Sequence, residues 1–151
     1  MKALVITGGP ASGKSFLLWH MRPHLKMLML EPSLMQEPIW EPPQDEVDAV
    51  VIDHFTRVPN ITEIVTRAVK WCAGNDCPLI LVGQSGTALD QVMHLLQGER
   101  IVMHLERNFD SGHVRVAIGG HVDDLSVESL TGKALGLLGM EMSDLRPSQN
   151  C

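Results

Sequence analysis

No apolar stretch in the 151-residue sequence approaches the ~20 residues that a helix needs to cross a bilayer, so a membrane-spanning protein is not expected. A basic excess is missing too. Lys and Arg number 12 against 18 Asp and Glu, a formal charge of −6, and the overall positive footprint usual in nucleic-acid binders is absent. Cysteine is scarce: Cys72, Cys77 and Cys151 cannot all pair, which points to reduced thiols, and zinc held by Cys72 and Cys77 would need two more ligands from scattered His. The amino terminus runs straight into an apolar segment without a charged leader region or cleavage site, and the expectation is a cytoplasmic protein. Internal repeats and low-complexity tracts are not visible.

The chain has the length of one domain, read as residues 1–145 with a frayed tail at 146–151, and its 44% hydrophobic content suits a globular core. Apolar runs predict strands at 2–7, 26–30, 48–53, 78–83, 100–106 and, shorter, 113–118. Helical patterns fall between them at 14–21, 60–73, 86–97 and 124–138. This alternation predicts an α/β fold: a mostly parallel sheet between helical layers, with an edge hairpin turning at Asp110-Ser111-Gly112. Asn60 and Glu63 resemble a capping box, Ile61, Ile64, Val65, Ala68, Val69 and Cys72 form the apolar face behind it, and Asp123-Asp124 reads as a helix N-cap.

The stretch 32–48 departs from the alternation, with four prolines, Trp40 and five acids where a helix would be expected. It reads as an ordered irregular loop, either a connector whose Trp40 covers the sheet or an acidic partner-binding or gating segment.

Gly8-Gly9-Pro10-Ala11-Ser12-Gly13-Lys14-Ser15 fits G-x-x-x-x-G-K-[ST] directly after the apolar run Ala3-Leu4-Val5-Ile6. In such a loop the glycines let consecutive N–H groups turn inward around phosphate oxygens, the lysine places a cation at the β and γ phosphates, and the serine offers a hydroxyl to Mg²⁺. The helix starting there adds the positive end of its dipole. Residues 8–16, ending at Phe16, are thus the candidate nucleotide contacts, with Ser15 a candidate metal ligand. ATP is favoured because the sequence carries no Asn/Thr-Lys-x-Asp guanine-reading motif.

Three further strand ends carry polar groups. Ala49-Val50-Val51-Ile52-Asp53 has the Walker B pattern, making Asp53 a second candidate for the metal; its plainer reading is a turn cap. Gln84, after Pro78-Leu79-Ile80-Leu81-Val82-Gly83, would reach the γ-phosphate if its strand lies between those of the loop and Asp53, and would otherwise start a loop. Glu31 after Lys26-Met27-Leu28-Met29-Leu30 is a candidate general base for the attacking water, with His54 its rival.

Asp53-His54-Phe55, the helix through Lys70-Trp71-Cys72, and Cys77-Pro78 opening a strand that ends in Gln84 resemble the RecA and DnaB-type P-loop ATPases, weakly extended by Ile101 to Arg107 and Val114-Arg115-Val116. The resemblance covers about residues 1 to 118. It implies a three-layer domain with strand order 5-1-4-3-2, a catalytic glutamate at Glu31, a glutamine sensor at Gln84 and a trans-acting basic residue at Arg107 or Arg115. FtsK/HerA-type pumps and filamentous-phage assembly ATPases share these features but usually have Asp-Glu where this chain has Asp53-His54. The resulting expectation is Mg-ATP binding with hydrolysis, in DNA-related work, by a chain open to a homo-oligomer and a nucleic-acid or nucleoprotein partner. A non-enzymatic nucleotide-dependent module and a small-molecule kinase are the alternatives.

Overall fold

Apolar runs without alternation suit strands covered on both faces, and that is how the central runs of this chain pack. The computed structural model describes residues 2–9, 12–53, 60–84, 87–96, 98–107 and 112–140. Seven strands form one sheet: β1 (Lys2–Gly8), β2 (Met27–Leu30), β3 (Ala49–Ile52), β4 (Leu79–Gly83), β5 (Glu99–Arg107), β6 (Val114–Ile118) and β7 (His121–Leu125). The spatial order is β2-β3-β4-β1-β5-β6-β7. The first five strands pair in parallel, with β4 between β1 and β3, while β6 and β7 add antiparallel ladders beyond β5.

The four helices are α1 (Lys14–Met21), α2 (Ile61–Asn75), α3 (Thr87–Met93) and α4 (Val127–Leu137). Leu4, Ile6, Ile80 and Leu105 face a core shared with Leu17, Leu18, Leu130 and Leu135, so α1 and α4 cover one side. Val5, Ile52 and Leu81 face a second core with Ile64, Val65 and Val92, placing α2 and α3 on the other. The sandwich of helices around a mostly parallel sheet is the α/β class expected. Among the described residues no helix is long and apolar enough to cross a membrane.

Several local expectations change. The predicted helix 124–138 begins only at Val127, because Gly119-Gly120 turns the chain into a two-residue hairpin that pairs Ile118 with His121 and continues as β7. Asp123 and Asp124 therefore lie on a strand, Asp123 within 3.8 Å of the Lys133 ammonium, and Ser126 is the cap, its Oγ accepting from Ser129 N–H at 3.3 Å. β6 is consequently interior. The predicted helix 86–97 ends at Met93, where the chain leaves through i→i−3 bonds from Leu95 to Val92 and Leu96 to Met93. The anticipated turn at 110–112 falls largely outside the described residues.

The capping box at Asn60 does not form. Asn60 Nδ2 donates instead to the Pro38 carbonyl, and Glu63 pairs with Arg67 at 3.0 Å. The acidic segment is thereby tied to the start of α2. Between β2 and β3 it forms only a 3₁₀ turn at Pro32–Leu34 and otherwise irregular chain, with Trp40 buried in the α2-side core and its ring centroid 6.3 Å from Trp71. The aromatic ring fills the space that a crossover helix would otherwise cover. Cys72 and Cys77 are buried free thiols in the same layer; their mutual hydrogen bond and burial hold Cys72 protonated, far above the ordinary thiol range.

Candidate functional site

At Gly8 a close approach, and at Gly13 the backbone conformation, explain the absence of a side chain. A Cβ on Gly8 would collide with Ser12 Oγ and lie 2.7 Å from the Leu105 carbonyl of the neighbouring strand. Gly13 caps α1 at φ 105°, a left-handed conformation costly for a side chain, and its carbonyl accepts the first helical bond, from Leu17 N–H at 2.9 Å. Gly8→Ala is expected to lower stability by about 2 kcal/mol, because β1 or the Ser12 turn must shift; urea unfolding measures this, and an unchanged midpoint would show that the loop is loose.

Lys14 curls back over the loop. Its Nζ donates to Gly8 O at 2.9 Å, Gly9 O at 2.6 Å and Ser12 Oγ at 3.1 Å. Burial pushes this ammonium below the ordinary lysine value, and the Asp53 carboxylate pulls it back up, so the two groups lie within electrostatic reach across β4. Asp53 is buried at the end of β3, and its N–H donates to Leu30 O at 2.9 Å.

Gly13 brings no side chain to cap α1, the first turn holds no acid, and residues 2–30 contain no carboxylate at all. The first-turn amides and the helix dipole thus face an environment suited to an anion. A cavity of about 330 Å³ opens there, lined by Ser12, Gly13, Lys14, Ser15, Phe16 and Arg107. Its size falls in the range of small-ligand sites.

The other predicted residues separate into near and far groups. Pro10, Ala11 and His54 lie outside the described residues. Gln84 follows β4, between the loop strand and the Asp53 strand, with an exposed side chain. Arg107 shares the strand face of Met103 and Leu105 and reaches the cavity. Arg115 sits between the inward-facing Val114 and Val116, and strand alternation turns it to the opposite face of the sheet, away from α1. Glu31 follows the edge strand β2, three strand spacings or roughly 14 Å from β1. It lines a different cavity, of about 480 Å³, with Arg22, Met29, Leu30, Leu34 and Met35. Thus the structure gathers the loop, Lys14, Asp53, Gln84 and Arg107, and leaves Arg115 and Glu31 at a distance from the loop.

One pair escaped the sequence reading. Thr7, one residue before the loop, has its Oγ1 2.9 Å from His104 Nδ1 on β5. Only their register as opposed residues of β1 and β5 brings them together. Comparison with protein-family models finds no matching family, and comparison with curated proteins finds no matching relative.

Proposed function

We propose that this chain binds Mg-ATP on the loop 8–15 and hydrolyses it as a RecA-like P-loop NTPase. The observation that carries the reading is Lys14, whose ammonium is folded onto the loop carbonyls at the mouth of an acid-free cavity, within the field of Asp53. The order β5-β1-β4-β3-β2 supports the RecA-like assignment, since it sets the strand of Gln84 between the loop and Asp53.

In this proposal the loop amides and the start of α1 hold the phosphates, Lys14 neutralises the β and γ groups, and Phe16 lies beside the rest of the nucleotide. Ser15 would hold Mg²⁺ through its hydroxyl, with Asp53 ordering the ion's water shell; the ion supplies charge neutralisation on the phosphate oxygens. Both residue types suit this hard cation. Gln84 orients the attacking water, whose oxygen bonds to the γ-phosphorus as the bond to the β-phosphate oxygen breaks. Arg107 stabilises the charge that builds on the transferred group. The proton passes to solvent or to His54, since Glu31 lines a different cavity.

A second reading, nucleotide-dependent switching without turnover, is favoured by one observation: Glu31 lines a separate cavity at the sheet edge. Phosphate release decides between them. The wild type is expected to turn over ATP and Asp53→Asn to lose roughly 100-fold, about 2.7 kcal/mol of transition-state stabilisation. Binding without release at any protein concentration would overturn hydrolysis and leave the switch.

A further inference from the structure

The corner where α2 hands over to β4 sets two thiols against each other. Asp76 closes the helix at φ 50°, and the N–H groups of Asp76 and Cys77 both turn back to the Cys72 carbonyl, the second at 2.9 Å. A left-handed residue followed by such a bond is the Schellman ending, in which the side chains at the first and last positions meet. Those positions hold Cys72 and Cys77. The Cys72 thiol donates to Cys77 Sγ, which itself lies 3.7 Å from Pro78 O. With Cys77 N 2.9 Å from Cys72 O, covalent geometry keeps the two Cα atoms within roughly 6.8 Å, inside the span of a disulfide.

The two sulfurs differ in access and in acidity. Cys72 is fully enclosed, whereas Cys77 is 5% exposed at the rim of the corner, next to the exposed run 73–76. The hydrogen bond from Cys72 lowers the Cys77 thiol below its ordinary value, against burial and the Asp48 and Asp76 carboxylates. Cys77 is therefore the sulfur that ionises and the one a small molecule meets first. Cys72 needs no access of its own, because its reaction is intramolecular.

We propose that Cys72 and Cys77 form a reversible dithiol–disulfide site whose oxidant is a small peroxide. In the first step the Cys77 thiolate attacks a peroxide oxygen, the O–O bond breaks, and Cys77 becomes a sulfenic acid while the departing hydroxide takes up a proton as water. In the second the Cys72 sulfur attacks the Cys77 sulfur, the S–OH bond breaks, and the Cys72 proton leaves with that hydroxide as a second water. Two thiols and one hydrogen peroxide thus give one disulfide and two waters. A dithiol reductant returns the thiols by exchange. The new bond staples the last turn of α2 to the entry of β4. The inference goes beyond the nucleotide reading and does not depend on it.

Mass spectrometry of the full chain tests it, with Cys151→Ser leaving only the two thiols. The reduced protein is exposed to hydrogen peroxide, alkylated in denaturant and cut with trypsin, which leaves both cysteines on the peptide 71–100. The expected result is joint loss of both alkylation sites, a peptide lighter by two hydrogens, and full recovery after dithiothreitol. Dimedone present during the oxidation should trap the sulfenic acid on Cys77 and not on Cys72, which locates the first attack without altering either cysteine. Cys72→Ser should accumulate that trapped adduct, and in Cys77→Ser the remaining Cys72 should react roughly tenfold or more slowly than Cys77 does. Two thiols still alkylated after peroxide, a disulfide formed only in urea, or first labelling at Cys72 would overturn the proposal.

Discussion

Lys14→Ala should lower the affinity for Mg-ATP by roughly 10- to 150-fold, the about 1.5–3 kcal/mol expected for losing a hydrogen bond made by a charged donor. In the free chain that ammonium satisfies itself on Gly8 O, Gly9 O and Ser12 Oγ. A triphosphate arriving in the adjoining cavity would offer it anionic acceptors, which bind an ammonium more strongly than neutral carbonyls do. Displacement of a fluorescent ATP analogue measures the loss, and equal affinity in variant and wild type would mean that the nucleotide does not sit at Lys14. The pH dependence gives an internal control. Burial lowers the Lys14 pKa despite the opposing pull of Asp53. The folded chain therefore binds this proton less tightly than the unfolded chain, and stability rises with pH from the lowered pKa to the ordinary value of 10.5. Affinity for the anion runs the other way, falling as pH rises and the ammonium is lost. Lys14→Ala should show neither dependence from this group.

Trp40→Ala should cost about 3–5 kcal/mol in urea unfolding, the range for deleting a large buried ring and leaving its space empty. Trp40 is 8% exposed and belongs to the same packed cluster as Ile64, Val65 and Leu81. That cost is a large fraction of the stability of an ordinary domain. The effect should be global, because this ring stands where a crossover helix would otherwise protect the β2 and β3 side of the sheet. A loss below about 1 kcal/mol would show that the acidic segment detaches freely and that α2 alone covers this side.

The buried strands were legible because parallel strands covered on both faces must be apolar without interruption, and Leu4 to Ile6, Ala49 to Ile52 and Leu79 to Val82 satisfy that condition. The need for glycine at positions 8 and 13 was legible from the spacing alone. β7 was not: His121-Val122-Asp123-Asp124-Leu125 has no apolar run, and two acids before a helical pattern resemble the cap that Ser126 supplies two residues later. Arg107 and Arg115 were equivalent in sequence. The difference between them is strand parity, since Arg107 shares a face with Leu105 whereas Arg115 alternates with Val114 and Val116. Thr7 and His104 lie 97 residues apart and meet only through the β1–β5 register, which no local pattern encodes.

Calorimetric titration of the wild-type chain with ATP, with and without Mg²⁺, measures whether the loop at 8–15 holds a nucleotide. The expected result is one nucleotide per chain, bound more tightly with the ion. Absence of binding by ATP and by every other nucleoside triphosphate in the presence of Mg²⁺ would contradict it.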